Sequence, residues 1–288
     1  MRTKLSVALG ACVLAGCVGG YAQENMAEHM PPKVLTVTRE YTKPGKDGMS
    51  HEKTESAFVK AMTKAKWPTH YLAVQSLSGK PRVLFITGYD SFEAWEKDFK
   101  ALDKNEAFSA ELDRANVADG EVLSGTDQSA AIFREDLSLR PKVDIAHMRY
   151  FEISRIQVKQ GHDKDWEALV KMYQSGFEKI SDAHWVMYQS QYGHEDGTYI
   201  IFNPMKSAAE IDRGFGDWPK FTAAMGDDGM KKLNELTAAT IESSETNLFA
   251  FNPKMSYVGE DWIKADPDFW KPKAEATAKP AAKKPADQ

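Results

Sequence analysis

The sequence predicts an α+β chain made of two β-α-β-β-α-β repeats whose sheets pack against each other. Three observations predict it. An apolar hairpin pattern occurs twice: HYLAVQSLSG (His70–Gly79) runs into PRVLFITGYDS (Pro81–Ser91), and HWVMYQSQYG (His184–Gly193) runs into DGTYIIFNPMKS (Asp196–Ser207). A constant offset of 114 pairs His70 with His184, Tyr71 with Trp185, Gln75 with Gln189 and Gly79 with Gly193, which is the length of a duplicated domain rather than of a solenoid unit. Helical stripes flank both hairpins in the same order, and the hairpin strands are apolar on both faces, so each sheet needs cover on both sides.

The elements follow in order. Val34–Tyr41 (VLTVTREY) is β-rich and reads as the first strand. Lys43-Pro44-Gly45-Lys46 is a turn, and the next helix runs to about Lys66 with Phe58, Ala61, Met62 and Ala65 on one face. Trp67-Pro68 ends it, because proline biases the residue before it away from helical angles. After the first hairpin, Phe92, Trp95, Phe99 and Leu102 form an amphipathic stripe capped by Asp90 or Ser91. A helical piece over 107–118 and a strand near 130–137 close the first repeat.

The second repeat opens with a strand over 148–158 and the turn Lys159-Gln160-Gly161-His162. A helix over Asp163–Ile180 carries Trp166, Leu169, Val170, Tyr173, Phe177 and Ile180. Past the second hairpin, Ser207-Ala208-Ala209-Glu210 has the spacing of a capping box, and Ile211, Phe215 and Trp218 line a helix up to Pro219. LFAFNPKMSY (Leu248–Tyr257) is the closing strand. The helices of each repeat cover one sheet face, which leaves the other face for the sister repeat. The expected seam is filled with large side chains, and any pocket is expected between a sheet and its own helices, with the second repeat favoured. The Trp95, Phe99, Trp166 and Phe215 stripes are expected to be core.

Residues 1–22 read as an export signal: Arg2 and Lys4 precede an apolar run from Leu5 to Gly16 that is too short for a membrane-spanning helix. Two cleavage patterns compete. Leu14-Ala15-Gly16-Cys17 resembles a lipobox, which would make Cys17 a lipidated first residue, and Gly20-Tyr21-Ala22 fits ordinary signal peptidase. Residues 23–32 are a polar linker, 33–140 and 144–258 the two repeats, and 259–288 an Ala/Lys/Pro-rich disordered tail. The only cysteines, Cys12 and Cys17, lie in the signal, so the domains have no disulfide, thiolate ligand or cysteine nucleophile. A net charge of −5 with no basic face argues against a nucleic-acid partner. The expected protein is periplasmic or extracellular, monomeric, and on a membrane only through a lipid at Cys17.

Arg39-Glu40-Tyr41 leading into Lys43-Pro44-Gly45-Lys46 is similar to the opening of the NIPSNAP family, and Arg155 through Gly161 is a weaker copy. The resemblance places residues 33–258 in the dimeric α/β-barrel superfamily, as two ferredoxin-like units fused in one chain. Members of that superfamily include cofactor-free monooxygenases and haem-using enzymes. For want of a recognisable catalytic constellation, the expected function is binding of a small apolar or aromatic ligand without established catalysis; the alternative that the resemblance implies is a cofactor-free or haem-dependent monooxygenase. No motif in this chain selects haem, and no cofactor is expected.

The candidate ligand-binding residues are His70, His184, Arg39, Arg155, Gln75, Gln189, Trp185, Tyr188 and Tyr199. A histidine can be a base or a ligand, and one at each helix-to-strand turn can equally satisfy local backbone groups. Arg39 and Arg155 share a strand face with Val37 and Ile153, where they could hold an anion or pair with a carboxylate such as Glu40 or Asp163. The glutamines interrupt apolar strands, and the aromatic residues could wall a pocket or simply be core. His147, His162 and His194 show no His-Glu-x-x-His spacing, so no metal site is expected. No nucleophile elbow, phosphate loop or dinucleotide fingerprint is present.

Overall fold

The structure is a computed structural model that describes residues 29–180 and 182–271. The segment expected to be an export signal, with Cys17, most of the expected 23–32 linker and the chain beyond 271 lie outside the described residues.

Eight strands form one closed antiparallel barrel: β1 (Val34–Thr42), β2 (Tyr71–Ser76), β3 (Arg82–Tyr89), β4 (Leu123–Phe133), β5 (Tyr150–Val158), β6 (Val186–Tyr192), β7 (Thr198–Met205) and β8 (Ile241–Phe251). Around the wall they run β1-β3-β2-β8-β5-β7-β6-β4. The first four strands therefore lie together in the order 4-1-3-2, and the last four in the order 8-5-7-6. Both hairpins fall where the sequence places them, as β2–β3 and β6–β7.

Two interruptions of the sequence reading matter here. The two sheets do not merely stack. They are joined edge to edge, β2 to β8 through the pairs Val74↔Phe251, Gln75↔Ala250 and Ser76↔Phe249, and β4 to β6 through pairs from Ala130↔Tyr192 to Phe133↔Tyr188. Closure leaves no unpaired edge, which would otherwise invite aggregation. The strands that precede the seams also begin earlier than expected: β4 starts at Leu123 and β8 at Ile241.

The helices clothe the outside of the wall. They are α1 (Met49–Ala65), α2 (Phe92–Asp103), α3 (Glu106–Gly120), α4 (Asp163–Phe177) and α5 (Ala209–Thr240). Ser91 caps α2 by accepting from the Ala94 N–H at 3.1 Å, and Asn105 caps α3 by accepting from Phe108 at 3.3 Å. The capping box predicted for α5 is only half made: the Glu210 side chain accepts from the Lys206 N–H at 3.0 Å, while Ser207 makes no side-chain cap. Nor does Pro219 end α5; the helix continues past it and breaks at Gly226, whose φ of 66° is left-handed.

Side-chain alternation sorts the strands into two faces. Leu35, Val37, Leu72, Val74, Leu84, Ile86, Phe151, Ile153, Val186, Tyr188, Ile200, Phe202, Phe249 and Phe251 point into the lumen and form the central cluster. The outward face of the second sheet packs on α4 and α5 through Ile156, Val158, Trp166, Leu169, Met187, Tyr199, Phe221 and Leu233. Of the three helical stripes read as core through Trp95 and Phe99, Trp166, and Phe215, only the one with Trp166 is core. No residue of α2 is buried, Phe99 is 54% exposed and Phe215 is 75% exposed. The α2 rings stack mainly on one another, Trp95 on Phe99 with centroids 5.5 Å apart.

The chain after 258 also departs from the predicted tail. Two short helices, α6 (Glu260–Ala265) and α7 (Pro267–Trp270), fold back onto one end of the barrel. There Trp270, 5% exposed, joins the lumen cluster and donates from its indole N–H to the Ala146 carbonyl at 2.9 Å.

Candidate functional site

An eight-stranded barrel has an interior just wide enough to be filled by side chains or to hold one small ligand. Here the filling is incomplete. The lumen holds a cavity near each end, of about 360 and 400 Å³, with Phe202 lining both. Open space thus lies at the meeting of the two sheets, the place expected to be filled, and both halves line it.

The first cavity is almost wholly apolar. Its wall is Leu35, Leu72, Ile86, Phe151, Val186 and Phe202, and loops from three parts of the chain close its mouth: residues 29–32, Val143 with Ile145, and Val258 with Trp262. The polar groups on it are few. Tyr188, 2% exposed, donates its hydroxyl to the Pro32 carbonyl at 2.9 Å. Burial holds that hydroxyl protonated well past the ordinary tyrosine range. His70 lies at the mouth, its ring stacked on Tyr257 with centroids 4.8 Å apart. Burial lowers the His70 pKa, partly opposed by the Asp261 carboxylate, so the imidazole is neutral at physiological pH.

The second cavity is charged. Arg39 pairs with Asp127 across the β1–β4 ladder and donates to Ser129 at 3.0 Å; Arg155 pairs with Glu245 across β5–β8 at 3.3 Å. The two arginines occupy matching places in the two halves, and each meets a carboxylate on the neighbouring strand rather than Glu40 or Asp163. Arg82 adds a more distant contact to Glu245 at 3.9 Å. His194 also lines this end, and its pKa is pushed down to about 4 by burial and by the Arg39 and Arg155 charges.

The other candidates are elsewhere. His184 spans two backbone carbonyls, of Asp182 at 2.9 Å and Pro204 at 2.8 Å, and lines neither cavity. Trp185 donates to the Leu137 carbonyl at 2.9 Å, and Tyr199 packs on Trp166 at 5.2 Å, both on the helix side of the wall. Gln189 accepts from Arg134 at 2.9 Å, and Gln75 donates to the Asp47 carbonyl at 2.7 Å. Of nine candidates, His70 and Tyr188 meet at the apolar cavity, Arg39 and Arg155 at the charged one, and five serve the scaffold. Sequence reasoning missed Val258, Trp262 and the 141–145 linker, although two tryptophans in a supposed tail are a signal of burial.

No protein-family profile matches the chain. No curated protein sequence matches it either. Solved structures do. An anthrone oxidase-like protein superposes with a TM-score of 0.50 at 14% identity, over 77% of this chain and 92% of the other. A monooxygenase-like protein of Fusobacterium nucleatum gives 0.49 at 12% identity, over 77% and 93%. Chlorite dismutase of Candidatus Nitrospira defluvii gives 0.43 at 9% identity, over 81% and 95%. The likeness is one of fold alone: this chain is an α+β protein with a closed eight-stranded antiparallel barrel, similar to that of the anthrone oxidase-like protein.

Proposed function

We propose that the protein binds a small aromatic molecule in the apolar cavity of its barrel. The observation that carries this reading is the cavity itself, about 360 Å³ of apolar wall with a neutral His70 at the mouth. Its size and lining match those of ordinary small-molecule sites, in which a few polar groups orient a mostly apolar ligand. The chain is a fused pair of ferredoxin-like units on the NIPSNAP-like pattern, supported by the matched Arg39–Asp127 and Arg155–Glu245 pairs. It is a monomer exported by the segment that starts with Arg2 and Lys4, and any membrane attachment is through Cys17.

A second reading has its own observation. A neutral imidazole beside an apolar pocket can take the proton of a bound hydroquinone, and the resulting anion can reduce oxygen without a cofactor. His70 would be that base. Haem does not fit this cavity: its lining includes Asp261 and no arginine or lysine, so the haem carboxylates would be buried unpaired. Oxygen uptake with 1,4-naphthohydroquinone, corrected for autoxidation, tests the two readings. Uptake that His70→Gln abolishes supports the oxygenase, and saturable binding without uptake supports ligand carriage. Absence of both refutes the site.

A further inference from the structure

The two halves of the barrel wall are not covered alike. Between the second sheet and its helices lies a large apolar core. The matching cluster on the first half is small, with Ala73, Val83 and Met255 buried and Phe85 packed against them. Four polar side chains lie in the same half. Glu40 comes from the outward face of β1, His51 and Glu55 from one face of α1, and Asp119 from the end of α3. Glu40 sits opposite Val83 and Thr126 in the ladder as Ile156 sits opposite Tyr199 and Ser244, so a carboxylate stands where the other half has isoleucine.

We propose that Glu40, His51, Glu55 and Asp119 form a binding site for one first-row divalent metal ion. His51 is 1% exposed, Glu55 3% and Asp119 2%. The His51 Nε2 lies 3.0 Å from Glu40 Oε2, 3.6 Å from Asp119 Oδ1 and 3.9 Å from Glu55 Oε1, and one ligand atom from each residue lies within 4.8 Å of all the others. A tetrahedron of ligands around an ion with bonds of about 2.1 Å has edges of about 3.4 Å, so the four groups need only draw in slightly.

The charges call for a cation. Three carboxylates converge, and among the described residues no lysine or arginine pairs with any of them. Glu55 Oε1 is buried and has no hydrogen-bond partner. Unpaired buried carboxylates are costly, and a divalent ion removes the cost by direct ligation. Asp119 is steered by the Thr54 hydroxyl, which donates to it, as outer partners steer metal ligands. The Tyr71 hydroxyl is another buried oxygen without a hydrogen-bond partner in this half of the barrel. Three oxygens with one imidazole suit Mn²⁺, Fe²⁺ or Zn²⁺; Mg²⁺ and Ca²⁺ prefer oxygen alone. Glu40, 15% exposed, marks the route in.

The test is calorimetric titration of the chelator-treated protein with MnCl₂, ZnCl₂ and, without oxygen, FeSO₄. One of these ions should bind at one equivalent per chain and raise the melting temperature. Glu55→Gln, nearly the same in shape, should weaken binding at least 100-fold, whereas Glu52→Gln on the same helix should leave it unchanged. Bound Mn²⁺ should also broaden the His51 ring resonances of the unmodified protein, a readout that needs no variant to fold. Absence of saturable binding of all three ions by the unmodified protein overturns the proposal. So does a Glu55→Gln protein that binds as tightly as the original.

Discussion

Filling the apolar cavity should cost little or stabilise the protein, and Ile86→Phe is the substitution to make. Ile86 is 9% exposed, lies mid-strand opposite Val37 and Leu72, and lines the cavity of about 360 Å³. Phenylalanine keeps β propensity and adds three carbons. At about 0.8 kcal/mol per buried methylene the gain is at most about 2 kcal/mol, less the cost of fixing the ring. The net change should fall between zero and about 2 kcal/mol of stabilisation, worth up to several degrees in Tm for a chain of this size. Leu169→Phe is the comparison. Leu169 is 0% exposed in the helix-side core, which the structure shows filled, so the same three carbons should destabilise by about 1–3 kcal/mol. Thermal and urea unfolding read both. Equal destabilisation by the two substitutions would mean that the lumen is packed as tightly as the helix side, and the cavity would be refuted.

Three further outcomes follow from the same geometry. Gly193→Ala should destabilise by about 3 kcal/mol or more in urea unfolding, because φ is +85° and a Cβ would lie 2.1 Å from the Gln128 carbonyl; Gly161→Ala, at φ +84° in open space, should cost only about 1 kcal/mol. His194 binds a proton near pH 6.5 when unfolded and near pH 4 when folded, so the unfolded state holds more protons between these values. Stability should therefore be full above pH 6.5 and fall by about 2 kcal/mol, after allowance for solvent screening, as pH drops to 4, a fall that His194→Gln removes. Residues 33–140 expressed alone should dimerise or aggregate in sedimentation runs, because β2 and β4 lose their seam partners; a stable monomer would count against barrel closure.

Much of the wall was legible in the sequence. Period-two alternation put Val186 and Tyr188 on one face and Trp185 and Met187 on the other, and the structure turns the first pair to the lumen and the second to the helices. What alternation does not encode is depth along the barrel, which is why Tyr188 and Arg155 share an interior and line different cavities. The seams β2–β8 and β4–β6 join strands far apart in sequence, and no local pattern announces them. The α2 stripe misleads because aromatic rings three and four apart can satisfy one another on a helix surface. The metal cluster was half visible. His51 and Glu55 continue, at helical spacing, the stripe of Phe58 and Met62, and a histidine and a glutamate on a buried face call for a partner. A search for paired histidines passes over that pattern.

The claim that the barrel interior is a binding site is tested most directly by calorimetric titration of 1-naphthol into three proteins. The unmodified chain should bind one equivalent. Ile86→Phe, whose ring intrudes on the cavity while stability is kept, should weaken that binding, and Arg155→Ala at the opposite end should leave it unchanged. Equal affinity in the unmodified and Ile86→Phe proteins would place the ligand elsewhere and contradict the account.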